Sequence, residues 1–155
     1  MNRLFLACLA ASVLTAPALA ETPPDAVVRG VYEAYVAAEK AGKDAPDQLR
    51  ASLYSARIRK QIAALKKACA KRDDLCLPDA DFLVDGQDYR ISDIATKLVS
   101  QQGDRAAVEA RFRNFDTASR KTYTLGREKG LWVFDDIDGF EGGLTGMLKP
   151  LPASR

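Results

Sequence analysis

The chain has 155 residues, 47% of them hydrophobic, with 23 basic and 21 acidic side chains and no histidine. A net charge of +2 leaves no electrostatic footprint for nucleic acid or an anionic membrane. Without histidine there is no Ser-His-Asp triad and no usual general base.

Residues 1–20 have the three parts of a cleavable signal peptide in order. Arg3 supplies the positive start, residues 4–13 a short apolar run, and Ala18-Leu19-Ala20 the small-x-small site. Cleavage is expected between Ala20 and Glu21, leaving residues 21–155 as a single exported, periplasmic domain. A membrane anchor needs roughly 20 apolar residues, and Thr15, Ala16 and Pro17 break this run early. Lipoprotein processing at Cys8 is set aside, because only residues 4–7 precede it as an apolar run and Phe5 stands where a branched aliphatic is usual. Cleavage removes Arg3 and Cys8, so 22 basic face 21 acidic side chains. No later apolar run reaches membrane-spanning length, and no nucleic-acid partner is expected.

Helix signals dominate the first half of the remaining chain. Thr22-Pro23-Pro24-Asp25 has the form of an N-cap, a proline at the first helical position and an early acid. Val28, Tyr32, Tyr35 and Val36 then share a face, and Gly42 ends the run. Asp44-Ala45-Pro46-Asp47 restarts the pattern, with Leu49 and Leu53 carrying a short helix. Ile58, Ile62, Leu65 and Cys69 make the apolar stripe of a third helix, whose other face is basic. Those cations are read as a solvated face biased toward the helix C-terminus.

Cys69 and Cys76 are read as a disulfide, the expected state in an oxidising compartment. A redox pair usually has two intervening residues, and here there are six. A zinc site wants four ligands in a chain that has no histidine. No metal and no cofactor are expected.

Beyond Pro78 the period becomes that of strands. Residues 91–101 read as one, turning at Gln102-Gly103-Asp104. Ala106, Val108, Ala110 and Phe112 alternate with polar neighbours, the pattern of a half-buried strand. Residues 114–119 read as a polar loop and 121–128 as a strand with Tyr123 and Leu125 inward. Lys129-Gly130 closes a hairpin into residues 131–137. Trp132 and Phe134 have one parity and Ile137 the other, so a bulge at Asp135-Asp136 is expected. A helical turn within residues 142–148 precedes Pro150 and Pro152. Helices followed by meandering strands specify an α+β domain, with N-terminal helices packed in the concavity of a curved antiparallel sheet of about four strands.

The segments "VVRGVYEAYVAA", "FLVDGQDYRISDI", "GDRAAVEARFRNF" and "GLWVFDDIDG" resemble a bacterial family of secreted proteins, domain of unknown function 3828. That family is similar to the nuclear-transport-factor-2-like, cystatin-like α+β cone. The resemblance covers about residues 25–148 and implies a curved sheet wrapped around a few helices. Fold analogy supplies no chemistry.

Candidate chemistry lies in two acidic groups, Asp79, Asp81, Asp85, Gln87, Asp88, Tyr89 and Asp93, and Asp135, Asp136 and Asp138. Met at the open end of a cone, they would line a pocket of Tyr32, Tyr35, Asp85, Gln87, Asp88, Tyr89, Trp132 and Asp136. Neighbouring carboxylates can divide acid and base roles. The economical alternative is that these acids shape turns and caps, with Gln87 and Asp88 tying the helices to the first strand. Neither acidic stretch has the ligand spacing of an EF-hand, since Leu83, Val84, Arg90 and Phe140 fall on required positions. The leading expectation is a non-catalytic domain of the envelope that binds a small ligand or a periplasmic protein. One alternative is a small lyase or isomerase with Asp88 or Asp136 as base. Another is an inhibitor or immunity protein acting through the surface around Cys69 and Cys76. An open concavity favours small molecules, and a filled one favours protein partners.

Overall fold

The computed structural model describes residues 22–72, 76, 80–139 and 141–150. The expected cleavage site at Ala20 and Glu21 lies outside them, as does Asp79.

Helix α1 runs Pro24–Lys40 and buries Val28, Val31, Tyr32 and Tyr35 along one stripe. Its N-cap is Pro23 with Pro24 as the first helical residue, one position later than Thr22 and Pro23 lead one to expect. Proline fits there because its missing N–H lies among the unpaired donors of the first turn. Gly42, at φ +61, ends the helix, and the Lys43 N–H reaches back to the Ala38 carbonyl. The short helix expected to carry Leu49 and Leu53 is only a three-residue 3-10 turn, Ala51–Leu53. Asp47 accounts for the difference, since its carboxylate takes the Leu49 N–H at 2.8 Å and its carbonyl takes the Arg50 N–H.

Helix α2, Ala56–Cys69, starts at Ser55, whose side chain accepts the Ile58 N–H. Ile58, Ile62 and Leu65 are buried, in keeping with the apolar stripe. Cys69 and Cys76 form a disulfide with Cα atoms 5.6 Å apart.

Four strands follow, β1 (Ile91–Gln102), β2 (Arg105–Asn114), β3 (Thr117–Glu128) and β4 (Leu131–Ile137), joined in chain order as one antiparallel sheet. Helix α3, Gly143–Met147, closes the described fold. Each hairpin turns in two residues. At Lys129-Gly130 both have positive φ, +52 and +80, which matches the twist of the flanking strands. The polar loop expected at 114–119 is instead a tight turn at Phe115-Asp116, because Asn114 pairs directly with Thr117. Thr117, Ala118 and Ser119 therefore extend β3.

Between β3 and β4, Leu125 pairs with Phe134 and Thr124 with Asp136, so Asp135 bulges out. The bulge returns Ile137, fully buried, to the face of Phe134. The helices pack on that concave face, α1 against β1 and β2, α2 and the 3-10 turn against β4. The α+β arrangement is thus the one expected. A short bridge, Asp81 to Gly86, folds back over the sheet and sinks Phe82, Leu83 and Val84 into the same core.

The disulfide closes a loop of seven residues' separation. Replacing both cysteines, Cys69→Ser with Cys76→Ser, is expected to cost about 2–2.5 kcal/mol. Urea unfolding measures this, and a double variant as stable as the parent would show that other contacts already hold the loop.

Candidate functional site

The concave face gathers a polar cluster amid aromatic packing. On β3, Lys121 and Tyr123 share the inward parity, opposite Ala110 and Val108 of β2. Lys121 is 4% exposed, and its ammonium lies 2.5 Å from the Asp85 carboxylate. Asp85 reaches it from the 81–86 turn with φ +59, a conformation that Asp tolerates better than most residues. Tyr123 shares a 2.6 Å hydrogen bond with the Tyr32 hydroxyl. Tyr32 also lies against Phe112, centroids 4.4 Å apart.

The Tyr35 hydroxyl donates to the Asp81 carboxylate, whose other oxygen accepts the Leu83 N–H. Gln48 steadies the same turn, accepting the Phe82 N–H at 2.9 Å. Asn114 ties its far side, donating to the Val84 and Asp88 carbonyls and accepting the Arg90 N–H. Burial pushes the Asp81 carboxyl upward, against hydrogen bonds from Tyr35 and Leu83. Burial first, then the bond to Asp81, pushes the Tyr35 hydroxyl up; burial does the same to Tyr32, Tyr54 and Tyr123. These tyrosines stay protonated at neutral pH.

Of the eight residues expected to share a pocket, Tyr32, Tyr35, Asp85 and Tyr89 gather around this cluster. Tyr89 stands edge-on to Tyr35, centroids 5.2 Å apart. Gln87 and Asp88 are exposed beside it. Trp132 and Asp136 are elsewhere. Trp132 lies under the Arg127 guanidinium at 4.6 Å. Asp136 accepts the Leu144 N–H at 2.8 Å and serves the start of α3.

Asp136 pairs with Thr124, whereas Asp88 binds Asn114, the partner of Thr117. Seven residues along a strand is about 20 Å, so these two acids lie far apart. Asp81, Lys121, Tyr123 and Asn114 complete the observed cluster. Lys121 was detectable as a cation on the inward parity of a strand.

A second polar node sits on the β4 bulge. Asp135 accepts a 2.7 Å bond from the Ser55 hydroxyl and pairs with Arg57 at 3.3 Å and Arg105 at 3.7 Å. Burial raises its carboxyl, but the bonds from Ser55 and Arg57 and the two guanidiniums outweigh it and hold it below the usual range. Glu128 is likewise lowered, first by the Ala56 N–H and then by Arg59.

Three surface depressions among the described residues are not lined by any of the eight. One of about 360 Å³ lies between α2 and the tail, lined by Leu65, Ala68 and Leu148 among others. One of about 340 Å³ lies on the outer face of β2 and β3, and one of about 810 Å³ beside Gly139, Glu141 and Gly142. Among the described residues no three acids or cysteines gather closely enough to hold a metal ion, and no helix is long and apolar enough to cross a membrane. No family model, curated protein or solved structure matches the chain.

Asp85→Asn removes the carboxylate beside a buried cation and is expected to cost about 2 kcal/mol, less than a fully buried pair because Asp85 is 43% exposed. Lys121→Met removes the charge itself and should cost less. Equal losses in urea unfolding would count against this account.

Acid should act through Asp135. Its folded pKa lies below its unfolded one, so its contribution is present at neutral pH and fades as pH falls through the range below about 4. Asp81 has the opposite sign, its raised pKa favouring the folded state as pH falls. Asp135→Asn should therefore be less stable than the parent by about 1–2 kcal/mol at neutral pH, converging with it near pH 2. A difference independent of pH would exclude the charge.

Proposed function

We propose that the chain is an exported, non-catalytic accessory domain of the envelope that binds a protein partner through its outer surface. The observation that carries this reading is the filled concavity. Tyr32, Tyr35, Tyr54 and Tyr123 are all fully buried, and each hydroxyl is spent on an internal partner. A small molecule held there would have to displace side chains packed at the density of a core.

Export is supported by the leader pattern of residues 1–20 and by the disulfide. The resemblance to domain of unknown function 3828 and its cone-like fold is consistent with helices lying inside a curved sheet. The lyase or isomerase reading calls for Asp88 or Asp136 as base, and it is disfavoured because Asp88 is exposed and Asp136 is engaged at the start of α3, away from the buried tyrosines.

Native mass spectrometry of the chain purified from its producing cells is expected to give the mass of the disulfide-bonded polypeptide alone. Capture from envelope extract should return one protein in stoichiometric amount. A retained small-molecule mass would overturn the reading in favour of ligand binding. Loss of a cellular phenotype in both Asp88→Asn and Asp136→Asn, with folding intact, would overturn it in favour of catalysis.

A further inference from the structure

We propose that the outer face and tip of the β2–β3 hairpin form the partner-docking surface, and that the partner is a protein segment presenting carboxylates beside an apolar side chain. This rests on the partner-binding reading above.

Arg111 and Arg120 stand directly opposite one another across β2 and β3 on the outer face, with side chains 65% and 69% exposed. Like charges in that position disfavour strand pairing. Glu109, one carboxylate, lies 2.8 Å from the Arg111 guanidinium and 3.7 Å from that of Arg120. Arg113 is next along the same face, and its guanidinium donates to the Asp116 carbonyl, which carries no net charge. The three arginines surround the 340 Å³ depression, with Asp93, Ala118 and Ser119. The single Glu109 carboxylate offsets the two facing guanidiniums only in part.

Phe115 lies at the tip of the same hairpin. It sits in the turn at φ +51, where Gly or Asn is at ease and a bulky side chain is strained. It is 46% exposed, with Arg90 5.4 Å from its ring. The bond that ties this turn to the residue before β1, from the Phe115 N–H to the Arg90 carbonyl, is available to any non-proline residue. Strain kept without burial is the mark of a functional position. Aromatic and arginine side chains are also the types concentrated at the centres of protein interfaces.

The chemistry of the occupant follows. Guanidinium forks match carboxylates in a bidentate way. Asp93 and Glu109 within the same patch repel a dense polyphosphate, whereas a protein surface of mixed sign can be accommodated. Phe115 asks for an apolar contact, which a phosphate does not offer.

The test is an NMR titration of the folded chain at low salt with a short peptide in which glutamates and one lysine flank a leucine, with pyrophosphate in parallel. The expected result is saturable shifts confined to the β2–β3 face, weakened by added salt. Arg111→Glu with Arg120→Glu should weaken binding about tenfold or more, the loss of one bidentate contact or more. Phe115→Asn should weaken it several-fold while keeping or raising the melting temperature, since Asn suits the turn. Equal or tighter pyrophosphate binding, shifts elsewhere, or no binding would overturn the proposal. If the double arginine variant still captures the envelope partner, this surface falls and the broader reading stands. If the parent chain captures nothing, the broader reading falls as well.

Discussion

A lysine ammonium inside a concave sheet constrains much of the rest of this fold. Lys121 is 4% exposed, and an uncompensated buried cation is costly. Its partner Asp85 comes from outside the sheet, on a turn that doubles back through the Asp81–Gly86 bridge. Bringing that carboxylate into place carries Phe82, Leu83 and Val84 into the core. The same turn brings Asp81 to the Tyr35 hydroxyl and so to α1. One charge thus couples a strand, a turn and a helix, and two of the candidate acids, Asp81 and Asp85, belong to that network.

The sheet's two edges are treated differently. The outer edge of β4 is covered, since the Ser55 N–H bonds the Phe134 carbonyl at 2.9 Å and Arg57 reaches the Asp135 carbonyl. The bulge aims Asp135 at these groups. The edge strand β1 instead carries irregularities near Asp93 and Val99 and an exposed lysine, Lys97, all of which discourage pairing with a stray strand.

Much of the architecture was legible because periodicity reports which face is buried. The stripe of Val28, Tyr32 and Tyr35, the alternation of Ala106 to Phe112, and the parity break before Ile137 each state a burial pattern directly. Thr117, Ala118 and Ser119 were misread because small polar residues carry little strand signal, and their pairing with β2 decides their state. The short helix over Leu49 and Leu53 failed because Asp47 offered its neighbours a competing local bond. The candidate site was harder still. Whether Asp88 and Asp136 meet depends on strand register, which no local pattern states. Lys121 went unnoticed because a cation on an inward parity looks like noise until its partner is located.

The strands are joined by turns of two residues, so each pairing within the sheet is nearly local in the chain. The polar ties that seat the other elements on it are not. Tyr32 meets Tyr123 across 91 residues, Ser55 meets Asp135 across 80, and Lys121 meets Asp85 across 36. Sheet assembly therefore pays little loop-closure entropy, while docking of the helical half bears most of it. The slow step of folding is consequently the docking of the helical half through these distant contacts, whereas the register of the sheet is settled locally by its hairpins.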